Sequence, residues 1–358
     1  MPPPQTALST LKMVEVFVHF EHGDSADPFP SEGPFHLKPH KYLHLMTSTL
    51  SQQHVNQFRT WIFSVSIFGK IARLFRYDRS GFQVTDGIDY SAEEGNRLLT
   101  EFFLRLDRMA DDPEARGRDP TVSDATEEEV GTFSRVVKAI CEPGPQPGRR
   151  TMHGQKKKAE IGLWVHPGFR NLIGSVGDPN DYPRKKVTVM EGQVLRNYII
   201  GRPAYSSGVI VGRATRGYVA MSAETKDLVF LKETWRHDIA TLASGDHLYK
   251  LLSSKRPRGV TKNIAAYAHG SDVHATKQIV RCPDMKQRTI AHLHAKDLGF
   301  EEARGYIHYR MIQSELYIQL EYFGDSKHLT SIMLDIAQGA LFGFTNANSQ
   351  QLTLVHST

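Results

Sequence analysis

Residues Leu228–Arg236 read LVFLKETWR. Four successive apolar residues, Leu228, Val229, Phe230 and Leu231, predict a buried strand. Lys232 follows at once, and a lysine is costly to bury without an anionic partner. Just upstream, VIVGRATRGYVAM (Val209–Met221) puts Gly212, Ala214, Gly217 and Val219 in the order G-x-A-x-x-G-x-V. Glycines let backbone N–H groups come close to phosphate oxygens, and a strand lysine behind such a loop supplies a poorly solvated cation for them. The plainer alternative is a tight hairpin with Lys232 snorkelling to the surface at a strand end.

The rest of the chain frames that motif. Its 358 residues are enough for two domains and a sizeable core. Hydrophobic residues make up 40% and charged residues 23%, the balance of an ordinary globular protein. The net charge of +5 is spread along the chain, so no nucleic-acid partner is expected. The densest basic run, Arg149, Arg150 and Lys156–Lys158, sits in a Pro/Gly-rich stretch and reads as a solvated loop. Cys141 and Cys282 lack C-x-x-C spacing, so neither a zinc site nor a disulfide framework is expected. The start, MPPPQTALSTLK, has no apolar signal core. No run reaches the roughly 18 apolar residues that span a membrane. The expected location is intracellular, cytoplasmic or nuclear.

The expected fold class is α+β. Residues 1–142 read as an accessory α+β domain. Met13–Glu21 alternates as a strand, and a helix is expected around His40–Gln57. RTWIFSVSIF, IARLFRYD and FQVTDGI form a three-strand antiparallel meander with turns at Gly69-Lys70 and Arg79-Ser80-Gly81. Ser91 with Glu94 predicts a capping box opening a helix to about Met109, and EEEVGTFSRVVKAI predicts a second helix. Residues 143–186 read as a basic linker or insertion. Residues 187–358 read as short strands, a helix after Arg236, and a helix from Ser326 to about Phe344.

Several separated pieces together resemble the fungal-type protein kinases: FRTWIFSVSIFGKIARLFRYDRSG (Phe58–Gly81), GRDPTV (Gly117–Val122), VGRATRGYVA with LVFLKETWR, IHYRMI (Ile307–Ile312) and FGDSKHLTSIMLDI (Phe323–Ile336). The resemblance covers nearly the whole chain. It implies an accessory region ahead of a kinase N-lobe, with ATP and magnesium as ligands and protein Ser/Thr as acceptor. It casts Lys232 as the lysine on the nucleotide phosphates, under a loop of Gly212, Ala214, Gly217 and Val219.

The resemblance also exposes departures. Ala214 replaces the middle glycine. The helix expected to supply an acidic partner for the lysine reads TLASGDHLYKLL, where Ser244 falls on the first acidic position. Asp246 is the nearest remaining partner, with Asp238 as an alternative; a solvated helix-start acid is the bland reading of Asp246. The closing residues LTLVHST place His356 on the first residue of the catalytic H-R-D, with Ser357 and Thr358 where Arg and Asp belong. The expectation is a chain truncated before its C-lobe, without the catalytic Asp, the Asn or the metal Asp, and inactive alone. A pseudokinase or fragment that docks to other proteins is the alternative.

Other constellations are weaker. His19, Glu21 and His22 lack an evident third metal ligand, and no D…E-x-K nuclease order is visible. Trp61, Trp164 and Trp235 read as packing residues. Tyr77, Asp78 and Arg79 read as turn-shaping, with Asp78 paired to a nearby base.

Overall fold

IFSVSIF and IARLFRYD are rich in β-branched and aromatic residues, and the Gly69-Lys70 pair between them lets the chain reverse, with Gly69 at φ 58°. They form the centre of a first sheet in the computed structural model, which describes residues 15–21, 27–29, 50, 57–109, 111–112, 114–141, 167–239, 249, 265–275, 285–297 and 299–346. Its strands are β1 (Phe17–Glu21), β2 (Ile62–Phe68), β3 (Ile71–Asp78), β4 (Gly81–Val84) and the short β5 (Ile88–Asp89). The order is β1-β2-β3-β4, with β5 against β3. The β2-β3-β4 meander is antiparallel as expected, whereas β1 joins β2 in parallel.

Helix α1 (Glu93–Arg108) lies on one face of this sheet. Its Leu99 and Phe102 pack with Val65, Ile67 and Ala72. The expected capping box does not form. The helix starts at Glu93 behind Ala92, without a side-chain cap, because Asp89 Oδ1 already accepts from the Ser91 amide and hydroxyl. The box appears instead on the second helix, α2 (Glu127–Cys141). The Thr126 amide donates to Glu129 Oε2 at 2.8 Å, and the Glu129 amide donates to Thr126 Oγ1 at 3.2 Å.

The second sheet contains β6 (Val122–Asp124), β7 (Lys185–Glu191), β8 (Val194–Ile200), β9 (Tyr205–Ser206), β10 (Arg216–Ser222), β11 (Leu228–His237), β12 (Tyr267–Asp272) and β13 (Tyr306–Gln313). The order is β12-β13-β11-β10-β8-β7-β6, with β9 against β10, and all these pairings are antiparallel. Strand β6, from the stretch read as the accessory region, is the edge of this sheet. Helix α3 (Pro167–Gly174) falls within the stretch expected to be a linker or insertion. The short α4 (Ala291–Asp297) is unforeseen in the sequence, and α5 (Ser326–Asn346) matches the last expected helix.

LVFLKETWR is central in the sheet, and its alternation divides two environments. Met221, Val219 and Gly217 of β10 stand opposite Leu228, Phe230 and Lys232, and Ala220, Tyr218 and Arg216 stand opposite Val229, Leu231 and Glu233. On the first face Val219, Met221 and Phe230 pack with Phe133 of α2 and Phe169, Leu172 and Ile173 of α3. On the second, Val229 and Leu231 pack with Tyr198, Tyr218, Ile312 and Phe58. Each large aliphatic side chain so buried contributes about 1.5–3 kcal/mol.

Among the described residues no helix is long and apolar enough to cross a membrane. The expected helices at His40–Gln57 and after Arg236, the basic run 149–158, Trp164 and Cys282 lie outside the described residues, apart from Leu50, Gln57 and Tyr249.

Candidate functional site

Lys232 is half-buried on β11, with its backbone between Gly217 and Met311. Burial, reinforced by the positive charge of Arg213, holds its ammonium below the usual lysine range. No described side chain gives it a hydrogen bond or an ion pair. The alternative partner Asp238 is turned elsewhere, to Arg288 Nε at 3.0 Å. Ser244, Asp246 and His356 lie outside the described residues.

The glycine-rich segment leads into β10. Gly212 has φ 97° and Ala214 has φ 41°. Ala214 is nonetheless buried. The Arg213 carbonyl accepts from the Trp235 amide at 2.8 Å and from Thr234 Oγ1 at 3.2 Å, fixing the loop to the strand that carries Lys232. Gly217 has a packing reason to be glycine: a Cβ there would lie 2.5 Å from Phe230 Cζ. Val219 is fully buried against the helices.

On the opposite face lies a buried ionic network that the sequence reading did not foresee. Glu233 Oε1 accepts from Arg310 Nε and Nη2 at 3.0 and 2.9 Å, and Glu233 also pairs with Arg216. Arg310 reaches Asp119 and Thr121, and Asp119 Oδ1 accepts from Gln287 Nε2 at 2.8 Å. The His308 ring stacks on Trp235 at 4.6 Å, almost parallel. Its Nδ1 faces Gln287 Oε1 at 2.7 Å and its Nε2 faces Glu233 Oε1 at 3.0 Å.

Electrostatics follow from this packing. Burial alone would raise the Glu233 carboxyl, but Arg216, Arg310 and His308 more than offset it and hold it well below the ordinary range. Asp119 behaves the same way: burial opposes ionisation, and Arg310, His308 and Thr121 prevail. His308 is pushed below its ordinary value by burial, against the pull of Glu233. Asp119, Glu233 and His308 bring three ligand-type atoms within 4.8 Å. The counter-charge for the two carboxylates is already present in the guanidiniums of Arg216 and Arg310.

GRDPTV, LVFLKETWR and IHYRMI are thus one site in space. Glu233 was legible in principle, since a carboxylate one residue past a buried lysine must face the other side of the strand. Nothing local marks Asp119 or Arg310 as its partners.

The RYDRSG turn is a third joint. Asp78 has Arg76 nearby at 3.4 Å, as expected of a paired acid, but most of its hydrogen bonds are with backbone. Its Oδ2 accepts from the amides of Ile290 and Ala291 at 2.7 and 3.0 Å, which caps α4, and its Oδ1 accepts from the Ser80 amide and hydroxyl. His19 and Glu21 lie 3.3 Å apart on β1, and no other described acid, histidine or cysteine joins them in a metal-sized cluster.

The mixed architecture of two sheets flanked by helices fits a kinase-like fold. The sequence model of the fungal protein kinases matches residues 38–299, well over half of the chain, and the chain belongs to that family. Searches of the curated proteins and of the solved structures find no match. Family membership makes kinase-like chemistry the frame in which Lys232 is to be read.

Proposed function

We propose that the chain binds the phosphate groups of ATP at Lys232, as the N-lobe side of a Ser/Thr-type protein kinase. The observation that supports this is Lys232 itself. It is a partly desolvated cation with Arg213 nearby and no described carboxylate beside it. An anion held there would restore the ammonium's preference for its charged form. The fold has no packing reason for a lysine at this point, because its neighbours Leu228 and Phe230 serve the same face with apolar side chains.

Nucleotide binding and phosphoryl transfer are separable here. Transfer requires a base and metal-held charge stabilisation. Magnesium takes oxygen ligands, chiefly carboxylates, and no described carboxylate interacts with Lys232. We therefore assign the described residues to holding phosphate, with magnesium and the base supplied from elsewhere.

A second reading, a pseudokinase that works by docking to proteins, is favoured by one observation. The apolar surface beside Lys232, formed by Val219 and Phe230, is packed under Phe169, Leu172, Ile173, Leu316 and Ile318. A flat nucleobase would have to displace some of these contacts.

Titration calorimetry of the full chain with Mg-ATP separates the two readings. The first expects saturable binding that weakens at least about tenfold in Lys232→Met, the loss of one charge-assisted contact. A folded wild-type chain that takes no nucleotide rejects it in favour of the docking reading.

A further inference from the structure

The turn between β3 and β4 belongs to the first sheet, yet its polar atoms hold the second. The Arg79 carbonyl accepts the Gly212 amide at 2.7 Å. Arg79 Nη1 donates to the carbonyls of Val209 and Ile210 at 3.1 and 3.0 Å. Ser80 Oγ accepts the His292 amide at 3.0 Å, beside the amides that Asp78 takes from α4. Ile210 itself is buried among Phe29, Phe68 and Phe75 of the first unit.

The segment gripped in this way is not at ease. Gly212 and Ala214, at φ 97° and φ 41°, flank Arg213, whose charge acts on Lys232. A Cβ at Gly212 would meet nothing within 4 Å, so it is the backbone angle and not crowding that calls for glycine there. Ala214 is a non-glycine residue in the left-handed region, a strained conformation that persists only where its surroundings over-determine it. Trp235 and Thr234 determine the loop from the side of β11, and Arg79 determines it from the other sheet.

Arg79 is also poorly suited to a purely structural task. It is buried, no described carboxylate lies within ion-pair distance, and its Nε has no hydrogen-bond partner. Burial and the nearby Arg216 lower its guanidinium to about 9. A buried cation whose donors go to two loop carbonyls is costly unless holding that loop matters.

We propose that Arg79 is a positioning residue for the phosphate site: from the first sheet it fixes the 209–215 loop, and through that loop the charge of Arg213, beside Lys232. Arg79 touches no ligand in this scheme. The inference rests on the reading of Lys232 as a phosphate-binding group, and it makes the first sheet part of the site and not an appendage.

The test uses the full chain, with inorganic triphosphate and its magnesium complex as probes. Calorimetry gives affinity, and amide exchange reports on residues 209–217. Arg79→Met is expected to weaken triphosphate binding about tenfold or more, a typical coupling between sites. Exchange should rise at Gly212 and its neighbours while β2 and β3 stay protected. Arg79→Lys, which keeps a cation and a donor, should recover part of both. Gly212→Ala loosens the loop directly, so its effect combined with Arg79→Met should fall short of the two single effects together. Wild-type affinity and wild-type loop exchange in folded Arg79→Met overturn the proposal. If that variant does not fold, the same result in folded Arg79→Gln, which removes the cation and shortens the side chain, overturns it. A wild-type chain that binds no triphosphate instead rejects the phosphate reading of Lys232, while loop exchange still decides whether Arg79 holds the loop.

Discussion

Glu233 and Arg310 meet at 2.9 Å with neither side chain reaching solvent. Arg310 continues to Asp119 and Thr121, which precede β6 and α2, so one guanidinium joins the two parts of the chain. A buried ion pair is weak evidence of net stability, but breaking one strands a charge in a dry interior.

Arg310→Met is accordingly expected to destabilise the fold by about 3–5 kcal/mol, because it leaves Glu233 and Asp119 short of counter-charge. Urea unfolding followed by circular dichroism measures this. A loss under about 1 kcal/mol would mean that the carboxylates take up protons or find water at little cost.

The same carboxylates predict acid sensitivity. Glu233 and Asp119 both have folded-state values below the ordinary ones of 4.5 and 3.8. The unfolded chain therefore binds more protons in acid, and stability should be complete above those ordinary values and fall as pH drops through the folded-state values. Stability measured from pH 7 downward should show this decline, and Asp119→Asn should make it shallower. An equally steep decline in the variant would place the titrating groups elsewhere.

Lys232→Met should lose phosphate binding without losing stability. Its depressed ammonium favours the neutral form on folding, so replacing it with an apolar chain of similar length should be neutral or raise stability by up to about 1 kcal/mol. In the wild-type chain the linkage has the same sign as that of the carboxylates but acts in the alkaline range: stability rises with pH between the depressed folded value and the ordinary 10.5. Phosphate affinity should fall over that same range as the ammonium loses its proton. Marked destabilisation in Lys232→Met would show that the lysine serves packing instead.

Gly217→Ala probes the contact beside the lysine. The added methyl would press on the Phe230 ring, and overpacking of this kind typically costs about 1–3 kcal/mol. Phe230→Leu in the same chain should recover part of the loss. Thermal unfolding of the single and double variants reads this, and a fully tolerated Gly217→Ala would mean that the ring moves freely.

Sequence alone determined a good deal. The meander of β2, β3 and β4, helix α2 and the central strand β11 follow from periodicity, turn residues and first-turn acids, all of which act within a few residues. So did the family, through motifs whose spacing survives in the linear chain. Even the oddity of Lys232 was legible, since a cation after four apolar residues is improbable without a partner. Tertiary structure alone decided the rest. Hydrogen bonds within the Asp89 turn suppressed the expected cap at Ser91, and the parallel seat of β1 depends on a neighbour far along the chain. Asp119, Glu233, His308 and Arg310 became one network only when β11 and β13 paired and brought the segment ahead of β6 against them. Arg79 acquired a role only when Gly212 came within reach of its carbonyl. Local propensity is short-ranged, whereas the cost of burying charge is settled by whatever the folded chain brings within about 4 Å.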